Sequence, residues 1–254
     1  MPPLSVVIIT RNEERNIGRC LGSVKNIADD IVVVDSGSTD RTLEICKQQG
    51  ARVFEHTWEG YSATKNFANS LAGFDFIFSI DADESLSAGL EKSILELKKK
   101  DGITTCRINR LTNYCGQWIR HGGWYPDLKL RFFDRRQAQW EGQIHERLTV
   151  PDELNTPVLE GDCFHYSYYS IEGHKAQARR YSELTARDLY EKGKHAGLPL
   201  LLFAPLIKFI RLYLLYRGFL DGMAGFTIAR ISAHAVYIKY AALRRLWRTH
   251  ESDC

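Results

Sequence analysis

The chain has 254 residues, of which 44% are hydrophobic, so it can bury one sizeable core, or a core with a smaller appendage, without metal or disulfide staples. This composition excludes a disordered chain. The net charge of +3 is unevenly distributed, because residues 198–250 carry eight Lys or Arg against one acid, Asp221, and sum to +7, whereas residues 1–197 sum to −2. The basic character therefore belongs to the C-terminal tail.

The cysteines and the N-terminus indicate a cytoplasmic protein. Six cysteines are scattered without a C-x-x-C pair, which is typical of isolated thiols in a reducing compartment rather than of a disulfide framework or a zinc site. The opening MPPLSVVIITRNEE has no basic region before its short apolar run, so it is a poor signal peptide. The same run is of the length and composition of a buried strand.

The first 100 residues alternate short β-branched runs with amphipathic segments. In chain order they predict a strand at 4–9, a helix at 16–27, a strand at 31–34, a helix beginning at 38–40, a strand at 52–55, a helix at 62–71, a strand at 74–80 and a helix at 88–100. Strands and helices at this spacing favour right-handed βαβ units. We therefore expect an α/β fold with an open, mostly parallel sheet and flanking helices.

Beyond residue 100 the pattern is looser. Segments 107–114 and 129–133 are typical of strands, and the Gly- and Trp-rich loop CGQWIRHGGWYPD joins them. Residues 170–195 predict a helix, and the tail predicts two or three more. We expect an α/β domain over residues 1–165 and a helical, apolar and basic extension over residues 166–254.

Acidic residues follow two of the predicted strands. Asp35 ends IVVVD and Asp81 ends FIFSID, with Asp83 two positions later. Because the carboxyl ends of parallel strands share one edge, these side chains should face one crevice, where a divalent cation such as Mg²⁺ or Mn²⁺ would relieve their repulsion and bridge to phosphate oxygens. The alternative is that Asp83, Glu84 or Ser85 caps the next helix.

Four motifs in order resemble a known family. "LSVVIITRNEERNI", "DIVVVDSGSTDRT", "KNFA" and "DADES" resemble the inverting glycosyltransferases of family 2, which have the GT-A fold, over about residues 4–150. "RFFDRR", "WEGQIHERL" and "FHYSYYS", with the apolar basic tail, resemble the lipopolysaccharide inner-core β-1,4-glucosyltransferase branch. The resemblance implies a nucleotide-sugar half at about 1–100 and an acceptor half at about 101–165.

The resemblance also implies a nucleotide pocket. Thr10, Asn12 and Glu14 would line it, and Asp35 would accept a hydrogen bond from the uracil or ribose of a UDP-sugar. The sequence is equally consistent with Glu14 being a solvated acid of a loop. Asp35 is also suited to form a turn before Gly37.

A metal and diphosphate site is implied next to that pocket. Asp83 would coordinate the metal, Asp81 would lie on the ribose and metal side, and Lys65 near the pyrophosphate or the second acid. His165 is a further metal ligand or phosphate contact, or else a satisfied, partly buried histidine. Arg131 has a planar fork that suits phosphate oxygens, unless it is an ordinary strand arginine. Lys65 has the alternative of an exposed helix lysine.

An inverting transferase needs a base that takes the proton of the acceptor hydroxyl. In the resembling family this is an acid well downstream of the D-x-D motif, and "WEGQIHERL" supplies Glu146 after His145. This departs from the commoner Glu-Asp pair, so Glu146, His145 and Glu141 all stay open as the base. A structural ion pair of Glu146 with Arg147 or Arg131 is the alternative.

The composition of the tail predicts that it binds a membrane surface. Residues 196–207 are uncharged, but this run of 12 is shorter than the ~20 residues that span a bilayer. Lys208 and Arg211 share one sector of a helix over 200–216 that is otherwise apolar, so the helix would lie in the interface, held by anionic inner-leaflet lipid. A packed helical subdomain or a dimer interface would explain the same pattern. Nucleic acid is not expected as a partner, because the basic residues form no reader motif.

These features together predict a cytoplasmic enzyme held peripherally at the inner face of the cell membrane. It would transfer a hexose, with UDP-glucose the expected donor, to a lipid-linked glycan such as a lipopolysaccharide core. Trp118, Trp124, Tyr125 and Trp140 would flank the acceptor side, although core packing is the alternative for at least two of them. Another nucleotide sugar, a polyprenyl phosphate acceptor, or a non-catalytic sugar-nucleotide-binding scaffold would also fit the sequence.

Overall fold

The computed structural model describes residues 3–100, 105–142, 146–151, 153 and 156–252, with only the backbone of residues 249–252. The chain folds into two compact units. Unit 1 contains Met1–Leu111 and Asp127–Tyr166, and unit 2 contains Thr112–Pro126 and Ser167–Cys254. The Gly- and Trp-rich loop, except for its last residue, Asp127, therefore belongs to the same unit as the C-terminal helices.

Strands and helices alternate through the first 100 residues, as predicted. The described strands are β1 Leu4–Thr10, β2 Asp30–Asp35, β3 Arg52–Glu55, β4 Phe76–Ser79, β5 Glu84–Leu86, β6 Thr105–Tyr114, β7 Gln117–Trp118, β8 Leu128–Asp134, β9 Gln139–Glu141, β10 Arg147–Thr149 and β11 Val158–Tyr168. The described α-helices are α1 Ile17–Val24, α2 Thr42–Gln48, α3 Tyr61–Ser70, α4 Ala88–Leu97, α5 Ile171–Glu191, α6 Leu198–Ile210 and α7 Gly222–Ser252.

The main sheet of unit 1 has a parallel half and an antiparallel half. Its strand order is β3-β2-β1-β4-β8-β6-β11-β5. The first four strands are parallel, with β1 between β2 and β4. From β4 onwards the pairings are antiparallel where β4 meets β8, β8 meets β6, and β11 meets β5. The predicted mostly parallel sheet is confirmed for the first half, and the second half closes it with antiparallel strands.

The parallel strands are apolar throughout because both of their faces are covered. Val6 and Ile8 of β1 pack in one buried cluster with residues of α1 and α4. Val7, between them, packs in a second cluster with Ala68 of α3. This alternation follows from the two-residue period of a strand, and it explains why LSVVIIT has no polar face.

The segment after β4 differs from the sequence-based expectation. The alternative that Asp83, Glu84 or Ser85 caps the next helix is wrong, because Glu84 and Ser85 lie in strand β5. The cap is Ser87, whose Oγ accepts a hydrogen bond from the Leu90 amide at 3.2 Å. A strand of three residues has too short a pattern to be recognised without its partner, β11.

Unit 2 is helical. Helices α5 and α6 both pack along α7. A π-helical turn, Arg211–Leu215, continues α6, and a 3₁₀ turn, Gly218–Asp221, leads into α7, so that α6 and α7 form a helical hairpin. Among the described residues, one segment is long and apolar enough to cross a membrane by length and composition alone: Leu198–Leu215, of which almost nothing is buried inside the protein.

Candidate active site

The loops that follow β1 and β2 are hydrogen-bonded to each other and together form a double loop. The Asp35 carboxylate is buried and accepts hydrogen bonds from the Gly37 amide at 2.9 Å, from the Ser38 amide at 2.8 Å and from the Ser38 hydroxyl. Asn12, with a positive φ of 56°, donates its amide to Ser38 Oγ and accepts from the Thr39 amide, both at 2.8 Å. Asp35 and Asn12 therefore shape the loops themselves, and the turn-forming alternative for Asp35 is seen directly.

Thr10 and Glu14 flank this double loop. The Thr10 hydroxyl is buried and has no hydrogen-bond partner among the described residues. A buried hydroxyl without a partner is costly, so this atom is suited to contact a ligand. Glu14 is exposed, and its carboxylate accepts from the Arg41 amide at 3.1 Å, next to the start of α2, where the backbone amides favour an acid.

Asp81, after β4, lies between two cations. Its carboxylate is 2.6 Å from Nη2 of Arg131 and 3.1 Å from Nζ of Lys65. Burial raises the pKa of Asp81, but the charges of Arg131 and Lys65 outweigh burial and hold that pKa well below its usual range. Asp81 is therefore an anion whose charge is already balanced by the protein.

Arg131 is almost fully buried between two acids. Besides Asp81, its Nη2 contacts the Glu84 carboxylate at 2.8 Å and 3.0 Å. Burial lowers the pKa of Arg131, but Asp81 and Glu84 outweigh burial and raise it well above its usual value. The described hydrogen bonds of Arg131 go to Asp81 and Glu84, which need a countercharge, so its predicted contact with the pyrophosphate stays a prediction.

Asp83 faces a different partner. Its carboxylate is 3.2 Å from Nε2 of His165, and its carbonyl accepts from the Tyr166 amide at 2.9 Å. The antiparallel pairing of β5 with β11 sets Glu84 opposite His165, so the two strands bring Asp83 and His165 together. The predicted partnership of these two residues at the metal position therefore has a structural basis.

Each of the three predicted acids has partners of its own in the protein. No group of three His, Cys, Asp or Glu that could hold a metal ion occurs within the part of the chain that the structure describes. Asp35 binds its own loop, and Asp81 binds Lys65 and Arg131. That Asp81 joins Asp83 and His165 as a metal ligand stays a prediction, and a metal would have to compete with Lys65 and Arg131 for its carboxylate.

Asp83 and His165 suit a divalent cation that shares its remaining positions with a ligand. A carboxylate oxygen and an imidazole nitrogen at 3.2 Å are both common metal donors, and Mg²⁺ or Mn²⁺ usually completes its shell with phosphate oxygens and water. Glu13, which is not among the predicted site residues, lies close enough to Asp83 and His165 for their charges to act on it. Burial raises the pKa of Glu13, a hydrogen bond from Asn16 opposes the rise, and the charge of Asp83 adds to it.

Lys65 links Asp81 to the predicted base. Its side chain is buried on α3, and Nζ lies 3.5 Å from Oε1 of Glu146 and 4.5 Å from the centre of the Trp140 ring. The exposed-lysine alternative is therefore wrong. Lys65, Asp81, Trp140 and Glu146 line a cleft of about 380 Å³ in unit 1. One ammonium group thus contacts two acids of this cleft, Asp81 and Glu146.

The other residues proposed as the base are placed differently. Glu141 is exposed and accepts from the Thr149 hydroxyl at 3.1 Å. It lines a larger, more open depression of about 770 Å³, in which neither Asp81 nor Lys65 takes part. His145 lies outside the described residues. Glu146 is consequently the candidate that the described structure brings to the Lys65 cleft.

The predicted acceptor-side aromatics divide between the two units. Trp140 is buried in the core of unit 1. Trp124 is half-buried in unit 2, where it packs with Tyr114 and Tyr168. Core packing, the alternative for at least two of the four aromatics, is therefore what Trp124 and Trp140 show.

Comparisons with known proteins agree with these motifs. A family model described as glycosyl transferase family 2 matches residues 5–175. An uncharacterised glycosyltransferase of Rickettsia typhi is 33% identical over 259 residues, covering 97% of this chain and 88% of the relative. The lipopolysaccharide core biosynthesis glycosyltransferase LpsC of Rhizobium meliloti is 31% identical over 258 residues, covering 96% of this chain and 95% of the relative.

Among solved structures, the chain is similar to glucosyl-3-phosphoglycerate synthase from Mycobacterium tuberculosis in complex with Mn²⁺, UDP and glucosyl-3-phosphoglycerate. The sequence identity is 23% and the TM-score 0.37. The match covers 44% of each chain, so this chain spans less than half the length of that structure.

Proposed function

Because this chain belongs to glycosyltransferase family 2, we propose that it transfers a hexose from a nucleotide sugar, with UDP-glucose the expected donor, to a lipid-linked glycan such as a lipopolysaccharide core. The observation that carries the proposal is the arrangement in unit 1: a metal-competent pair, Asp83 and His165, and a separate acid, Glu146, in the Lys65 cleft. The similarity to LpsC, which extends over nearly the whole of both chains, supports the acceptor class.

Donor binding is assigned to the loops after β1 and β2. The buried Thr10 hydroxyl would contact the nucleotide, and the loops shaped by Asn12 and Asp35 would hold its uracil and ribose. Asp83 and His165 would hold a divalent cation, Mn²⁺ or Mg²⁺, which when bound offsets the charge of the diphosphate.

We assign the inverting attack to the face of the sugar opposite the leaving nucleoside diphosphate. Glu146 would accept the proton of the acceptor hydroxyl as that oxygen bonds to the anomeric carbon and the bond to the nucleoside diphosphate oxygen breaks. Lys65 would position the Glu146 carboxylate, because its ammonium is held from the other side by Asp81. The buried Arg131 and Glu84 would keep Asp81 in place.

The direct test is donor turnover by the purified full-length chain. A panel of nucleotide sugars is incubated with lipopolysaccharide-core acceptor, with Mn²⁺ or with EDTA, and both UDP release and the glycosylated product are measured. We expect product only with a UDP-hexose and metal, with UDP-glucose the best donor. Binding of the nucleotide sugar without any turnover would instead identify a non-catalytic scaffold and overturn the proposal.

We also propose that the protein works at the inner face of the cell membrane, where a lipid-linked acceptor is present. The support is the exposed apolar segment Leu198–Leu215 together with the net positive charge of residues 198–250. A cell fractionation in which the intact chain sediments with membranes tests this, and recovery in the soluble fraction would contradict it.

A further inference from the structure

Helix α6 and its π-helical extension expose a continuous apolar face. We call it the outer face, and its members are Leu202, Phe203, Leu206, Ile207, Leu214 and Leu215. Leu215 is 70% exposed and Leu202 is 64% exposed. Their spacing places them on one side of the helix. Neighbouring apolar side chains that are this exposed usually mark an interaction surface.

The opposite side of the same helix is already used. Phe209 and Tyr213 pack against Phe226 of α7, with ring centres 5.9 Å and 5.7 Å apart. The hairpin therefore holds α6 by one face and leaves the outer face exposed. Burial within unit 2 does not explain why the outer face is apolar.

The apolar surface continues over the end of the hairpin. Phe219, Leu220 and Met223 are exposed there, and Met223 is 76% exposed. The turn cannot easily fold these side chains inward, because its backbone is tightly packed: a Cβ on Gly225 would lie 1.8 Å from the Gly218 carbonyl oxygen. These three residues, called the tip, extend the apolar surface beyond α6.

The one acid of the segment is hidden at the base of the tip. The Asp221 carboxylate is buried and accepts from the His121 amide at 2.8 Å, from the Arg120 amide at 3.3 Å and from Nδ1 of His121 at 2.9 Å. Asp221 thereby fixes the loop of unit 2 against the hairpin. Since Nδ1–H of His121 donates to Asp221, Nε2 is the remaining nitrogen, and it donates to a phosphate oxygen when the ring is protonated.

The charged groups around this junction are basic. Arg120 and Arg217 are both exposed. The backbone carbonyl of Tyr216, next to Arg217, accepts a hydrogen bond from the Gly122 amide at 2.8 Å, so the two arginines lie on adjoining backbone segments. Arg211 and Lys208, three residues apart, lie on one flank of the outer face. An apolar surface bordered by cations, with its single acid buried, is complementary to an anionic membrane.

We propose that unit 2 binds one leaflet of a bilayer that contains anionic phospholipid, with the outer face and the tip in the acyl layer and His121, Arg120 and Arg217 at the headgroup phosphates. The proposal rests on the membrane association given above and deepens it by naming the inserting surface and the headgroup site.

Insertion into one leaflet fits the hairpin better than a transmembrane passage. Lys208 and Arg211 lie inside the 18-residue apolar window, and α7, packed along α6, carries Arg230 and Lys239. A spanning α6 would carry these charges into hydrocarbon, which is unfavourable. A helix lying in the interface keeps them at headgroup level, where long basic side chains reach water and phosphate.

The inserting surface is tested with the full chain and vesicles of phosphatidylcholine alone or mixed with phosphatidylglycerol. Phe203→Glu with Ile207→Glu places two charges on the outer face, and we expect at least a tenfold loss of binding to the mixed vesicles. Tyr181→Glu with Leu184→Glu is the matched control, because these side chains are exposed on α5 and belong neither to the outer face nor to the tip. We expect the control to change binding less than twofold.

The headgroup site is tested with His121→Asn and Arg217→Gln. An Asn amide can still donate to Asp221 but offers no equivalent of Nε2, so a purely structural His121 would leave binding unchanged. We expect each variant to weaken binding to phosphatidylglycerol vesicles by about fivefold, the size typical of one basic group at a membrane surface, with little change for phosphatidylcholine alone. Glycerol phosphate in solution should not compete, since it lacks the acyl chain.

Other outcomes separate this inference from the proposed function. UDP release is measured in parallel with detergent-solubilised acceptor, where we expect the outer-face and control variants to match the wild type. Normal UDP release together with unchanged vesicle binding by the Glu variants would overturn the inference and leave the proposed function standing. A change from dimer to monomer without a change in vesicle binding would identify a second copy as the occupant and equally overturn it.

Discussion

Soluble proteins usually bury apolar side chains and expose charged ones, and each unit departs from this rule in a different way. Unit 1 buries charge, since Lys65, Glu84 and Arg131 are almost inaccessible to solvent. Unit 2 exposes apolar surface, since most side chains of α6 and of the turn after it face outward. Burying charge costs free energy and exposing apolar surface lowers solubility, unless a ligand or a partner surface compensates. The contrast supports the two proposals made above, a ligand site in unit 1 and a membrane-binding surface in unit 2.

The buried charges of unit 1 have a specific consequence. Because Lys65 and Arg131 balance the charge of Asp81, we propose that Asp83 is the acid of the D-x-D motif that binds a metal. On this proposal, two acids separated by one residue have different tasks because the neighbouring elements supply cations to only one of them. The following predictions test this contrast between the units, beginning with the largest expected effect.

Arg131→Met should destabilise unit 1 strongly. It leaves the buried Glu84 and the partly buried Asp81 with fewer countercharges, and breaking a buried pair by removing one partner costs about 3–5 kcal/mol. The free energy of unfolding from denaturant titration measures the loss. Arg41→Met, which removes an exposed pair with Glu44, is the control and should cost far less, because solvent screens exposed pairs. Equal costs for the two variants would refute the buried network.

Glu146→Gln should abolish transfer while sparing donor binding. A general base contributes at least about 10²-fold, or ~2.7 kcal/mol, and the amide keeps the shape of the side chain. Product formation and UDP-sugar affinity are measured separately. Glu141→Gln is the matched control, because Glu141 is exposed outside the Lys65 cleft, and it should retain activity. Loss of transfer in the Glu141 variant alone would move the base there.

His174 should make the stability of unit 2 depend on pH. Burial lowers the pKa of His174 to about 4, whereas a free histidine titrates near 6.5. The unfolded chain therefore takes up a proton first, so this contribution to stability is complete above about pH 6.5 and is lost as the pH falls towards 4. Relative to His174→Phe, the wild type should lose on the order of 2 kcal/mol between pH 7 and pH 4.5. A pH-independent difference between the two proteins would contradict this assignment.

Leu206→Gln should hardly affect folding, which is the smallest effect expected. The side chain is exposed, so its replacement changes the free energy of unfolding by less than about 0.5 kcal/mol. Leu212→Gln, on the buried side of the same helical segment, should cost about 2 kcal/mol or more. Thermal unfolding of both variants tests the comparison, and a large cost at Leu206 would mean that the outer face is part of a core.

Much of unit 1 could be predicted from the sequence. The α/β class with the GT-A arrangement is confirmed by the sheet order and the family match, because buried parallel strands leave an unmistakable apolar pattern. The pairing of Asp83 with His165 followed from a motif resemblance, and the contact itself depends on β5 and β11. Neither of those strands was predicted, since β5 has three residues and β11 alternates only partly.

Other features could not be read from the pattern. The cations that neutralise Asp81 come from α3 and β8, which are distant in sequence, so the charge balance of the D-x-D motif is a tertiary property. Glu13 was passed over in favour of Glu14 because adjacent acids in a loop cannot be distinguished before the loop is folded. The placement of most of the CGQWIRHGGWYPD loop in unit 2 likewise depends on Asp221, about a hundred residues away.

The central claim is that Asp83 and His165 hold a divalent cation that binds the diphosphate of the donor. The most direct measurement is the calorimetric affinity for UDP, with and without Mn²⁺, of the wild type, Asp83→Asn and His165→Ala. We predict that Mn²⁺ tightens UDP binding at least tenfold in the wild type only, while the metal-free affinity is the same in all three proteins. An undiminished Mn²⁺ effect in Asp83→Asn would contradict the account.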